Sequence, residues 1–123
     1  AGDCEIHSAA IFSSGVIINS NVRIGGASMV TSGVRISKDV PPFIVATDNP
    51  VRYAGVNETL LQSSGTTEKV ISHIANAYRL VFHGQTSVFD AINQIKEQVP
   101  PGKEINSIVK FLEASKLGII SKI

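Results

Sequence analysis

Between positions 6 and 36 a large apolar residue returns at every sixth place: Ile6, Phe12, Ile18, Ile24, Val30 and Ile36. An amphipathic helix spaces its apolar residues by three and four, and a two-faced strand alternates them, so neither accounts for this period. A second row of smaller side chains runs two residues ahead of the first: Cys4, Ala10, Val16, Val22, Ser28 and Val34, with Val40 continuing it. One bulky and one small inward position per hexad is the pattern of a parallel β-helix, in which short strands form the flat walls of a prism and three hexads complete a coil. Residues 1–40 therefore supply about two coils. The bulky residues stack from coil to coil, while His7, Asn19, Arg23 and Arg35 point outward. Gly15, Gly25, Gly26 and Gly33 suit corners where the backbone needs positive φ. The competing reading is an irregular β-sandwich in which the spacing is accidental.

Two coils are fewer than the three or more units in which such repeats bury one another's apolar faces. Ala1 also enters the pattern just after a bulky position. The expectation is the C-terminal end of a longer β-helix, or a shortened relative whose open end is covered by partners, with a trimer as the natural assembly.

Pro41 and Pro42 lack ladder donors, and the chain is expected to leave the prism there, with residues 41–65 as a connecting loop. Beyond it the period changes to that of a helix. From Thr66 or Thr67 the apolar stripe reads Val70, Ile71, Ile74, Ala75, Tyr78, Val81 and Phe82 and stops at Gly84, with a threonine cap and Glu68 in the first turn. A second helix is predicted from Thr86 or Ser87, its inner face formed by Val88, Phe89, Ile92, Ile95 and Val99 and its end by Pro100, Pro101 and Gly102. A third runs from about Glu104 to Lys116, burying Ile105, Ile108, Val109 and Leu112. The predicted class is mixed β and α: a left-handed parallel β-helix of about two coils (1–40), a linker (41–65) and a small helical C-terminal domain (66–123).

Composition narrows the function classes. With 43% hydrophobic residues and a mean hydropathy of +0.19, the 123-residue chain has enough apolar surface for one core. A net charge of +1 with scattered lysines and arginines leaves no electrostatic footprint for nucleic acid. No segment approaches the roughly 18 apolar residues of a membrane span, and no export signal opens the chain, so a soluble cytoplasmic protein is expected. Cys4 is the single cysteine; it forms no internal disulfide, lacks neighbours for a metal site and reads as core rather than nucleophile.

The combination of a hexad region ending in GGASMVTSGVRISKDVPPFIVATDNPVRYAGVN with helices containing IANAYRLVF resembles the C-terminal part of the acyl-carrier-protein:UDP-N-acetylglucosamine O-acyltransferase family, which begins lipid A synthesis. The likeness covers nearly the whole chain and runs without gaps through residue 57; the DVPPF and GVN segments are its more specific parts. It implies a homotrimer of left-handed β-helices with active sites between neighbouring prisms, acyl carrier protein as acyl donor, a nucleotide sugar as acceptor, and no metal or other cofactor. The family's general-base histidine aligns about one coil before residue 1, so the resemblance leaves this chain without a catalytic residue; His7, outward and near the subunit cleft, is the candidate surrogate.

The resemblance assigns substrate binding to Gly2, which matches a family glycine, and to Asp3, which replaces a histidine. The family's HQF corner reads Asn19, Ser20 and Asn21, and Asn57 matches the asparagine of GVN on the nucleotide side. The following glutamate is Thr59, and a phosphate-binding arginine pair is replaced by Ser63 and Ser64. Two bidentate charged contacts of about 1.5–3 kcal/mol each are lost with that pair, which weakens nucleotide binding by roughly two to four powers of ten unless Arg35, Lys38 or Arg52 compensates. Arg52 and Tyr53 are expected in a loop bordering the cleft; His73 and His83 read as helix-surface and helix-end residues. Three functions stand: the C-terminal portion of such an acyltransferase, a diverged relative with another substrate, and a non-catalytic trimeric scaffold.

Overall fold

The computed structural model describes residues 5–6, 11–12, 17–18, 22–30, 35–36, 38–47, 52–84, 87–115 and 118–120. Six two-residue strands follow one another at the hexad spacing: β1 (Glu5–Ile6), β2 (Ile11–Phe12), β3 (Ile17–Ile18), β4 (Arg23–Ile24), β5 (Met29–Val30) and β6 (Arg35–Ile36). Each ends on the bulky residue of its hexad. Pairing is parallel and skips two strands, with Ile6 opposite Ile24, Phe12 opposite Val30 and Ile18 opposite Ile36. Each strand thus meets the one three hexads later, on three separate ladders.

Burial follows both rows wherever it is described. Ile24, Val30 and Ile36 of the bulky row, and Val22, Ser28 and Val40 of the small row, have no exposed surface. Removing a Val or Ile side chain from water contributes about 1.5–3 kcal/mol, so these rows stabilise the stack more than its short ladders do. Ser28 keeps its place among them because its hydroxyl donates to the Gly25 carbonyl at 2.7 Å. The burial of Ile6, Phe12 and Ile18, and the corners at Gly15 and Gly33, lie outside the described residues.

The glycine corners have another basis than expected. Neither Gly25 nor Gly26 adopts positive φ; the left-handed residue of that turn is Ala27, at φ 57°. Gly25 is required for space, since a Cβ there would stand 2.2 Å from the nitrogen and 2.5 Å from the Cα of Pro42. The prolines also act differently from the expectation. They form a buried turn pressed against Gly25, after which the chain returns to the ladder as β7 (Ile44–Thr47), parallel to β5. Its alternation of buried Ile44 and Ala46 with half-buried Val45 and Thr47 is the period-two signal that the proline pair masked. Strand β8 (Arg52–Val56) then pairs antiparallel to β7, with a bulge beside Gly55, whose φ is 123°. A short helix α1 (Glu58–Ser63) follows. Segment 41–65, expected as a connecting loop, therefore carries two strands and a helix.

The helices lie close to their predicted positions. Helix α2 (Glu68–Phe82) is capped by Thr67, whose hydroxyl accepts the Val70 N–H, and α3 (Val88–Gln98) by Ser87, which accepts that of Asp90. Helix α4 spans Lys103–Ala114. Ile71, Ile74, Tyr78, Val81 and Phe82 are buried as the stripe required, joined by Ala77 and Leu80, whereas Val70 and Ala75 are half-buried. Val88 and Phe89, assigned to the inner face of α3, are 37% and 72% exposed. The buried stripe of that helix is Ala91, Ile92 and Ile95, and Phe89 lies on the flank it shares with exposed Asn93 and Lys96. Arg23 points away from the strands, as expected, but reaches α4: its guanidinium lies 4.3 Å from the Phe111 ring centre and donates to the Phe111 carbonyl at 3.3 Å.

Two buried side chains, besides Arg23, tie the β region to the helical part through polar contacts. Tyr78, fully buried in α2, donates its hydroxyl to the Pro42 carbonyl at 2.5 Å. Asp39, also without exposed surface, accepts the Arg23 N–H at 2.8 Å and the Ser115 hydroxyl at 2.6 Å. Its main chain bonds to Gly118 and Ile120, bringing the tail alongside. One apolar cluster runs from Val22 through the helices to Ile120.

Replacing Asp39 with alanine strands the Arg23 N–H, and urea unfolding should show a loss of about 2 kcal/mol; Asp39→Asn, which keeps an acceptor, should lose less. Tyr78→Phe should lower stability by about 1–2 kcal/mol by orphaning the Pro42 carbonyl. Burial, with the neighbouring Tyr53 second, holds the Tyr78 hydroxyl well above its ordinary titration range. Because the folded chain keeps that proton more tightly than the unfolded chain, its contribution is complete below about pH 10 and is lost as pH rises further. Unfolding free energies measured across that range should fall less steeply for Tyr78→Phe.

Candidate functional site

Two turns distant in sequence meet at Asn57. In the first, Gly25 admits the proline backbone, Ser28 closes onto the Gly25 carbonyl, and Ala27 is left-handed at φ 57°. In the second, Phe43 follows the proline pair with φ 69° and donates its N–H to the Gly26 carbonyl at 2.9 Å. Asn57 closes the set as the residue before α1. Its main-chain N–H donates to the Phe43 carbonyl at 2.7 Å, and its side-chain Nδ2 donates to the Ala27 carbonyl at 3.1 Å.

The amide of Asn57 makes no capping bond to α1; its Nδ2 is engaged across the chain with Ala27. Its main-chain carbonyl instead accepts the Leu61 N–H and starts that helix. Asn57 is 6% exposed. Anchoring Nδ2 fixes the amide plane, which directs Oδ1 as a placed hydrogen-bond acceptor.

Helix α1 brings Asn57, Thr59, Ser63 and Ser64 into one short stretch. Thr59, Ser63 and Ser64 are exposed, and both serine hydroxyls donate back to the Leu60 carbonyl at 2.9 Å, closing the end of α1. Gly2, Asp3, Cys4, His7, Asn19, Ser20 and Asn21 lie outside the described residues. Among the proposed compensating cations, Lys38 is exposed and Arg52 is half-buried with a partner of its own; the Arg35 side chain is outside the described set.

Tyr53 departs from its expected place in a loop. It is a β8 residue, 7% exposed, and its ring stacks on Phe82 at 4.2 Å between centres with 4° between planes. Burial raises its hydroxyl above the ordinary tyrosine value. It joins β8 to α2 as a core residue. His83 caps the end of α2 with its ring edge toward Tyr53, while His73 is half-buried along the same helix. The structure brings neither histidine together with Asn57 by any described contact.

Sequence reasoning missed Ala27 and Phe43. Their turns are signalled by the Gly-Gly and Pro-Pro pairs just before them, but nothing in the sequence announces a non-glycine residue at positive φ. A separate groove of about 340 Å³ lies between α3 and α4, lined in part by Phe89, Ile92, Lys96, Leu112 and Glu113. None of the residues nominated from sequence as site residues lines it. Among the described residues no three His, Cys, Asp or Glu side chains gather as a metal site would require, and no helix is long and apolar enough to cross a membrane.

Residues 39–120 match the family model described as UDP-N-acetylglucosamine O-acyltransferase, domain 2. The acyl-[acyl-carrier-protein]–UDP-N-acetylglucosamine O-acyltransferase of Burkholderia lata is 33% identical across 98% of this chain, which spans 47% of that protein, about half its length. The crystal structure of a UDP-N-acetylglucosamine acyltransferase from Bacteroides fragilis superposes with a TM-score of 0.94 at 37% identity, covering 95% of this chain and 46% of that one. The corresponding enzyme of Francisella novicida gives 0.92 at 25% identity, over 98% of this chain and 45% of its own. By sequence over nearly its entire length and by backbone geometry, the chain belongs to the UDP-N-acetylglucosamine O-acyltransferase family.

Proposed function

We propose that this chain is the C-terminal portion, or a diverged relative, of an enzyme that transfers a 3-hydroxyacyl group from acyl carrier protein to UDP-N-acetylglucosamine in lipid A biosynthesis. The observation that carries the reading is family membership over 98% of the chain, together with strand pairing at a constant three-hexad interval. On this reading the β region winds as a left-handed parallel β-helix of about two coils, and residues 66–123 are the helical domain that follows. The assembly is a homotrimer in the cytoplasm, with its sites between neighbouring prisms.

In the reaction the sugar 3-hydroxyl attacks the thioester carbonyl, a general base takes the hydroxyl proton, and the carrier thiol leaves. A base that titrates near neutrality suits the step. Within this chain His7 is the surrogate candidate, and Gly2, Asp3, Asn19, Ser20 and Asn57 contribute to substrate binding. The anchored amide of Asn57 supports its part, since a polar group held by its own hydrogen bond meets a ligand without further ordering. A non-catalytic trimeric scaffold is the second reading. It is favoured by the end of α1, where Ser63 and Ser64 offer no charge to a diphosphate and spend their hydroxyls on Leu60.

Sedimentation equilibrium at micromolar concentration should give three times the 13.1 kDa chain mass; a folded monomer would contradict the assembly. NMR titration of UDP-N-acetylglucosamine should shift resonances around Asn57 with a dissociation constant of roughly 1 mM. A micromolar constant would mean that other cations have replaced the missing charge, and no shifts at all would favour the scaffold.

A further inference from the structure

Among the described residues, two that are not glycine have positive φ, Ala27 at 57° and Phe43 at 69°. An L side chain is unfavourable there, most of all a bulky one, and such conformations persist only where surrounding contacts impose them. Both of these residues present their carbonyls to Asn57. Ala27 accepts from the side-chain amide and Phe43 from the main-chain N–H. The two turns are further bound to each other through the Phe43 N–H and the Gly26 carbonyl, and pressed together where Gly25 meets Pro42.

We infer that Ala27 and Phe43 are positioning residues: their left-handed backbones aim two carbonyls at Asn57, that of Phe43 fixing its main chain and that of Ala27 holding its side-chain amide in the orientation from which it meets the nucleotide sugar. The inference rests on the reading of Asn57 as a ligand residue given above. An ordinary β or α conformation at residue 27 turns its carbonyl away from Nδ2 and leaves the amide free to rotate. Aiming is thus a property of the backbone, and substitutions at residue 27 act according to the φ they tolerate rather than the chemistry of their side chains.

The test is a set of variants in the intact protein, read by NMR titration with UDP-N-acetylglucosamine and by the signals of the Asn57 side-chain amide. Ala27→Gly and Ala27→Asn tolerate positive φ and should retain both the parental affinity and the parental amide signals. Ala27→Val does not tolerate it, and should weaken binding about fivefold or more while moving the Asn57 amide signals. Asn57→Ala should weaken binding to a similar extent, and adding Ala27→Val to it should cause little further loss, because the two act through one group. Fully additive losses, or an Ala27→Val protein that binds as the parent does while Asn57→Ala is impaired, would overturn the inference alone. Unchanged affinity in Asn57→Ala, or no titration by the parent, would overturn the ligand reading and this inference with it. The unmutated protein supplies a measurement that survives a failure of Ala27→Val to fold. Its Asn57 side-chain protons should exchange with solvent about tenfold or more slowly than those of exposed Asn93; equal rates would remove the tether and the inference.

Discussion

The backbone of Pro41 and Pro42 lies so close to residue 25 that no side chain fits between them. Several long-range contacts are built outward from this one. It permits the Gly25 N–H to reach the Val40 carbonyl at 2.7 Å and the Val40 N–H to reach the Arg23 carbonyl at 2.9 Å, extending the ladder past the hexads. It seats the turn that starts β7, and it presents the Pro42 carbonyl to Tyr78. A hexad strand, a hairpin and a helix thereby share one anchor. Its physical basis is the missing Cβ: dispersion contacts and two short main-chain bonds are gained where any larger residue would force the segments apart.

Buried polar groups are few in the described core, and each does a joining task. Ser28 satisfies its own turn, Asp39 holds the tail and Arg23, and Asn57 links two turns. No described buried side-chain nitrogen or oxygen lacks a partner. Hydrogen bonds of this kind add little net stability when made but cost about 1–3 kcal/mol when broken, so they specify arrangement more than they strengthen it. The apolar rows and helix stripes supply the bulk of the stabilisation, and the polar contacts choose among the packings those rows would allow.

How much of this was legible depends on the range of the cause. Hexad spacing, helix stripes and threonine and serine caps are local patterns, and the strands at every sixth residue and helices α2 to α4 follow from them. Strands β7 and β8 were hidden because the proline pair reads as a chain break, whereas the prolines occupy the turn before the ladder rather than the ladder itself. Phe89, expected on an inner face, is exposed, and Phe111, absent from the predicted stripe, is buried, each for a tertiary reason. Phe111 is covered by Arg23, which is remote in sequence, and Phe89 projects beyond the stripe that meets the other helices. At the candidate site, Asn57 was found through a short motif. Its supports at Ala27 and Phe43 were not, because a residue's φ is imposed by contacts that appear only once three distant segments have met.

The ladder between β5 and β7 has a register of sixteen residues, Met29 against Val45, in place of the eighteen that separate Ile11 from Met29. The final lap of the chain is therefore short by a third of a hexad, and the inward sequence of bulky and small positions loses phase with the rows beneath. A further parallel strand laid on β7 would find the hexad register interrupted. The reversed β8 occupies that position instead, kinked at its bulge and packed against α2. At this edge of the sheet the reversed strand ends the parallel ladder, and a foreign strand approaching it meets a bulged antiparallel neighbour, which is a poor template for further growth.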